Sequence, residues 1–196
     1  MDSYRRRVGV FGGTFDPPHV AHVHVAAAAI HQLALDQLLV IPAGQPWQKV
    51  GSRTISPPST RLRMAVAAFE MVDKVLVSDL EITREGDTYT VDTLGALGEA
   101  GTELFLLLGS DAAAGLDTWD RSDQIAELAT IVVFPRRGFE TAAPPNGFAW
   151  TGLELPGLEV SSSDLRRRVA HGEPISGLVP PLVEAIIRSE GLFLPS

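Results

Sequence analysis

The 196-residue chain contains no cysteine. That absence excludes disulfides, thiolate metal sites and a cysteine nucleophile together. Lysine is nearly missing as well, with Lys49 and Lys74 set against 14 arginines. Long apolar runs are also absent. The best helical candidate, Val20 to Ala34, is interrupted by His22, His24, His31 and Gln32, so no segment is expected to span a membrane. The amino end is polar and basic and lacks the pattern of a signal peptide, so a cytoplasmic location is expected. A formal net charge of −8 argues against a general nucleic-acid binder, which needs a basic footprint. The arginines nevertheless cluster at 5–7, 136–137 and 166–168, leaving local cationic spots in an acidic chain.

What is present is a globular composition, 45% hydrophobic and 20% charged. The length suits a single domain over 1–196, able to bury roughly 70% of its unfolded surface. Short β-rich runs alternate with helical patterns. Arg7 to Phe11 reads as a strand ending in Gly12-Gly13, and Pro17-Pro18 opens a helix over about 19–34. Gln37 to Ile41 is a second strand, followed by a Pro/Gly/Ser-rich loop over 42–58. A helix over about 59–72 has Ser59 as its expected N-cap. Strand-like alternation covers 74–82, and a helix over 90–99 closes at Gly101. Glu103 to Leu108 and Ala129 to Phe134 are continuous apolar runs suited to buried parallel strands. Helices over about 164–170 and 182–189 close the chain.

Strands separated by helices of this length predict βαβ units. The expected class is α/β: a Rossmann-like, doubly wound, mostly parallel sheet with helices on both faces and a small C-terminal helical portion, about 161–196. Ligands of such sheets bind outside the carboxyl ends of the strands. Polar clusters at 12–22, 42–49 and 109–111 fall at expected strand ends, and a fourth, 160–166, opens a helix.

The first cluster, GGTFDPPHVAH, is neither a P-loop nor a dinucleotide fingerprint. Its glycines allow close backbone approach, and the helix start after it offers N–H groups to an anion. His19 and His22 share one face at i, i+3, while His24 and His31 fall on another. The pair has three readings: polar capping of the helix, a metal pair, or donation to phosphate. The metal reading is weakened because the zinc helix uses i, i+4 with an adjacent Glu. In the second cluster, Ser161, Ser162 and Ser163 can donate to phosphate oxygens, and Arg166 can act as a guanidinium clamp. N-capping by serine and a solvated Arg166–Arg168 face would explain the same residues. Lys49, on the long loop, is a candidate cation for phosphates, with a solvent lysine as the plain alternative.

GGTFDPPHVAH with SSSDLR downstream resembles the paired signatures of the HIGH-motif nucleotidylyltransferases. IPAGQPWQK at 41–49, TYTVDTL at 88–94, LLGSDAAAGLDTW at 107–119 and VVFPRRGF at 132–139 narrow the resemblance to the bacterial nicotinate-nucleotide adenylyltransferases. The match runs in order along nearly the whole chain. It implies adenylyl transfer from ATP to nicotinate mononucleotide, giving nicotinate adenine dinucleotide and pyrophosphate. A phosphate monoester nucleophile, with a second pKa near ~6, needs no general base. Catalysis then reduces to aligning two anions and stabilising charge.

By resemblance, His19, His22, Lys49 and Arg166 carry the chemistry on the ATP phosphates. Gly12, Gly13, Thr14, Phe15, Gly109, Asp111, Arg136, Ser161, Ser162 and Ser163 line the ATP side. Tyr89, Thr90 and Trp119 match the nicotinate mononucleotide side, Trp119 with a flat face for the pyridine ring. No residue is expected to be a dedicated metal ligand; Mg²⁺ is expected to arrive with ATP. Nucleic acid and membrane are not expected partners, and homo-oligomer formation stays open. Three departures stand out: Ala21 where the family usually has Gly, Ser163 for Thr, and Arg137 for Pro. Phosphopantetheine adenylyltransferase shares both end motifs but lacks the 88–119 signature. A nucleotide-binding module without turnover is the alternative from another class.

Overall fold

The computed structural model describes residues 5–44, 55–135 and 143–195. Six strands form one all-parallel sheet: β1 (Arg6–Gly13), β2 (Gln37–Pro42), β3 (Val75–Val77), β4 (Thr102–Gly109), β5 (Ala129–Phe134) and β6 (Trp150–Gly152). Their spatial order is β3-β2-β1-β4-β5-β6. The order reverses at β1, which lies between β2 and β4, so the crevice at the carboxyl ends of β1 and β4 is the expected ligand position. The doubly wound expectation therefore holds.

Among the described residues seven α-helices accompany the strands: α1 (Val20–Gln32), α2 (Pro58–Phe69), α3 (Thr90–Leu97), α4 (Ser110–Ala114), α5 (Ser122–Leu128) and, after the last strand, α6 (Ser162–Ala170) and α7 (Pro181–Ser189). Side chains alternate across the pleat and build one core on each face. Phe105 and Leu107 of β4 join Phe11, Val40 and Val132 under α1, α2, α6 and α7. Leu104, Leu106 and Leu108 join Val10, Ile41 and Val133 under α3 and α5. Each such side chain, fully buried, stabilises the fold by about 1.5–3 kcal/mol. Strands buried on both faces need apolar residues at every position, which is why β4 and β5 read as unbroken runs. The C-terminal helices belong to this packing: Leu165, Val183 and Ile187 are buried with Phe11 and Phe15.

Several element bounds differ from the sequence reading. The alternation over 74–82 yields only three strand residues, because the chain turns where Ile82 and Thr83 donate back to the Asp79 carbonyl. α2 begins at Pro58 with Pro57 before it, so Ser59 is inside the helix and is not its N-cap. α6 starts two residues early, with Ser161 as N-cap. α3 ends at Leu97, before Gly101. β6, α4 and α5 have no counterpart in the sequence reading. Among the described residues no helix is long and apolar enough to cross a membrane.

Candidate active site

β1 ends in Gly12-Gly13, and the chain then turns through Thr14–Pro18 before α1 begins. Phe15 takes a left-handed backbone, φ 49°, which drives its ring down into the core. The ring is 2% exposed and meets Phe11 edge-on at 5.5 Å. Of the expected ATP-lining residues, Phe15 can thus offer a ligand its backbone only.

His19 is the N-cap of α1 and His22 its third residue. The His19 N–H donates to His22 Nδ1 at 3.2 Å, which puts the proton of a neutral His22 ring on Nε2. The two rings stack at 3.7 Å, and Phe15 meets His22 edge-on at 5.1 Å. Phe11 lies 6.0 Å away and completes an aromatic bed that fixes the imidazole's direction. His31 is exposed in the last turn of α1. The capping and phosphate-donor readings are therefore compatible: the pair caps the helix through Nδ1 and backbone while Nε2 keeps the proton.

The second motif meets the first from some 145 residues away. Ser162 Oγ donates to the Pro17 carbonyl at 2.9 Å. Arg166 donates through Nη1 to the Asp16 carbonyl at 2.7 Å and through Nη2 to Ser163 Oγ at 3.0 Å. Ser161 Oγ accepts from the Asp164 N–H at 3.1 Å. This corrects one expectation. The Ser162 hydroxyl proton is committed to Pro17, so Ser162 has only its backbone N–H to offer a phosphate. Arg166 does reach over the start of α6, and it also holds the turn. Arg167 and Arg168 instead pair with Asp164 and Glu173 on the solvent side.

Two buried residues of this region were not among the sequence candidates. Asp16 is 1% exposed, with its Oδ2 3.4 Å from the Ser56 N–H. Arg61 of α2, also 1% exposed, donates to three backbone carbonyls: Ser56 at 3.1 Å, Thr14 at 3.1 Å and Gly44 at 2.9 Å. Burial pulls the Arg61 pKa below its ordinary value, opposed by the nearby Asp16 charge. A signal for it existed. Arg61 shares the helical stripe of buried Met64, Ala65 and Ala68, where a charge needs partners.

On the opposite side of β1, Gly109 ends β4 and is the N-cap of α4, with Asp111 exposed in the helix's first turn. Ser110 is buried and donates to the Phe134 carbonyl at 3.1 Å, joining the ends of β4 and β5. Tyr89 is the N-cap of α3 and Thr90 its first residue. Tyr89 and Trp119 are both half-buried against the core under α3 and α5. Arg121 lies 5.9 Å over the Tyr89 ring while gripping Asp92 at 2.8 and 3.0 Å. Lys49 and Arg136 lie outside the described residues, as does Arg137.

The start of α3 is tied to the end of β2. Gly44 approaches the Glu81 carbonyl so closely that an added Cβ would stand 2.1 Å from the oxygen and 3.4 Å from the Thr88 methyl. Thr93 Oγ1 donates to Glu81 Oε1 at 2.9 Å. Burial pushes the Glu81 carboxyl up, against hydrogen bonds from Thr93, Thr88 and the Gly44 N–H and the charge of Arg84. With the folded pKa raised, the stabilisation is present below the ordinary value of about 4.3 and is lost as pH rises through the folded value. Glu81→Gln should therefore gain melting temperature relative to the parent between about pH 4 and about pH 7. Thermal melts at the two pH values check this, and a constant difference would contradict it.

Among the described residues no group of three or more His, Cys, Asp or Glu could hold a metal ion. The site's polar donors are imidazole, guanidinium, hydroxyl and helix-start N–H groups, a set suited to phosphate oxygens.

Comparison with known proteins points the same way. The Cytidylyltransferase-like family profile matches residues 10–168. A curated protein of Corynebacterium kroppenstedtii named "Probable nicotinate-nucleotide adenylyltransferase" is 40% identical over 97% of this chain and 92% of its own. One of Roseiflexus with the same name is 41% identical over 95% and 97%. In fold, the chain resembles the Plasmodium falciparum nicotinic acid mononucleotide adenylyltransferase complexed with NaAD. The TM-score is 0.81 at 19% identity, with 96% of this chain and 97% of that one covered. With both end motifs meeting at the switch point and this likeness running the length of the chain, it belongs to the cytidylyltransferase-like family and, within it, to the nicotinate-nucleotide adenylyltransferases.

Proposed function

We propose that the chain transfers the adenylyl group of ATP to nicotinate mononucleotide, releasing pyrophosphate, as a cytoplasmic step of NAD biosynthesis. The observation that carries this reading is the docking of the Ser161–Arg166 helix start onto the Thr14–Pro17 turn. Two helix starts and an imidazole pair then adjoin one turn at the carboxyl end of β1.

The mononucleotide phosphate attacks the α-phosphorus of ATP, and the bond to the β,γ-pyrophosphate breaks. The attacking oxygen is already ionised near neutrality, so no side chain has to remove a proton. His22 Nε2–H and the N–H groups at the start of α6 donate to oxygens that gain charge as pyrophosphate leaves. Arg166 adds a fixed guanidinium beside the same oxygens. Lys49 and Arg136 are proposed to supply further positive charge. Tyr89, Thr90 and Trp119 would hold the acceptor, the Trp119 ring stacking on the pyridine. Mg²⁺ would arrive on the ATP phosphates, held by phosphate and water, and neutralise charge there.

The test is pyrophosphate release from ATP offered nicotinate mononucleotide, nicotinamide mononucleotide or phosphopantetheine in separate reactions. Release with nicotinate mononucleotide at the highest kcat/KM is expected. Release with phosphopantetheine alone would move the protein to that neighbouring activity. Nucleotide binding without release from any acceptor would make it a binding module.

A further inference from the structure

Arg61 hydrogen-bonds both the turn after β1 and the segment that follows β2. Its guanidinium holds Thr14, which sits between the glycines and the histidine pair on the ATP side. It also holds Gly44, which lies against Glu81 and Thr88 immediately before Tyr89 and Thr90. Nε donates to the Ser56 carbonyl at 3.1 Å, so three strands of backbone converge on one planar cation. At 1% exposure the group is out of reach of solvent and is not placed to touch a substrate itself.

We propose that Arg61 is a positioning residue that sets the spacing between the ATP subsite and the acceptor subsite, a proposal that rests on the adenylyl-transfer reading above. The guanidinium is rigid and its donors diverge in a fixed fork, so the Thr14 and Gly44 carbonyls are held at a set separation. The link runs from Thr14 through Arg61 to Gly44, and from Gly44 through its backbone contact with Glu81 to the start of α3. In a reaction that consists of aligning two phosphates, that separation enters the rate directly. A misplacement of about 1 Å costs on the order of 10² in rate.

The signature is a split between turnover and binding. Each subsite keeps its own contacts when Arg61 is changed, so affinity for either substrate alone survives while kcat falls. Arg61→Lys, a point charge on a flexible stem, should lower kcat about 10-fold, and Arg61→Ala about 100-fold, since alignment errors of this order have such costs. Dissociation constants for ATP and for nicotinate mononucleotide, measured separately by calorimetry, should each stay within about 3-fold.

Thr60→Ala is the control for a purely structural role. Thr60 is on the same helix and 6% exposed, and its Oγ1 donates to Glu190 at 3.2 Å, remote from the turn. It should lower the melting temperature and leave kcat unchanged. Equal kcat losses in Thr60→Ala and Arg61→Lys would overturn the proposal, as would loss of ATP binding with acceptor binding and kcat at saturation intact. Unchanged kcat in folded Arg61→Ala would overturn it too. A parent enzyme that binds both nucleotides and releases no pyrophosphate would instead overturn the adenylyl-transfer reading, and this proposal with it.

Discussion

Replacing His22 by Ala should lower kcat by about 10²–10³-fold, the usual cost of removing one fixed donor from a site of developing charge. The size follows from how tightly the imidazole is aimed. Nδ1 accepts the His19 N–H, the His19 ring stacks at 3.7 Å and Phe15 closes the edge at 5.1 Å. A donor held from three sides costs no reorganisation at the moment the pyrophosphate leaves. His22→Gln separates chemistry from helix capping, because glutamine at the third helical position can still accept the N-cap N–H. It should hold its melting temperature near that of the parent and still lose most of the rate. His31→Ala, on the exposed last turn, should change neither. Steady-state rates and melts of the three variants check this, and equal rate losses at His22 and His31 would refute the assignment of the catalytic face.

Arg166→Ala should cost a similar factor, about 10²–10³ in kcat/KM, for a double reason. The guanidinium brings positive charge to the leaving pyrophosphate, and it also fixes the Asp16 carbonyl at 2.7 Å. Arg166→Lys should recover only part of the loss. An ammonium supplies the charge but not the fork that spans the Asp16 carbonyl and Ser163 Oγ. Arg167→Ala, which removes pairing to Asp164 and Glu173 on the solvent face, should leave the kinetics intact. If Arg166→Lys matched the parent, charge alone would be what the position supplies.

Much of the fold was legible because parallel strands buried on both faces leave little freedom of composition. Leu104 to Leu108 and Ile131 to Phe134 read as such strands, and the glycines that end β1 mark the turn after it. The edges were harder. β3 and β6 pair on one side only, and three residues of β6, Trp150–Gly152, carry no periodicity. α4 and α5 are too short for a helical pattern to emerge from a window of eleven or more residues. At the site, His19, His22 and the serine cluster were visible as motifs, and their meeting was not, since local patterns hold no information about contacts between Pro17 and Ser162. Arg61 was missed for a related reason. Its partners, Thr14, Gly44 and Ser56, are backbone carbonyls, and carbonyls have no letter in the sequence.

The contact between Arg166 and Asp16 spans 150 residues of chain. On a ribosome adding about 5–20 residues per second, the turn emerges roughly 8–30 s before the arginine that closes it. β1, β2 and β4 can pair in that interval, so a nascent sheet with an open glycine turn precedes any complete nucleotide site. A chain halted before residue 160 should build most of its hydrophobic layers and yet hold ATP poorly. Competence to bind is thus acquired late in synthesis, and a translational pause before α6 would prolong an inert species whose Phe11 and Phe15 layer still lacks its α6 and α7 cover.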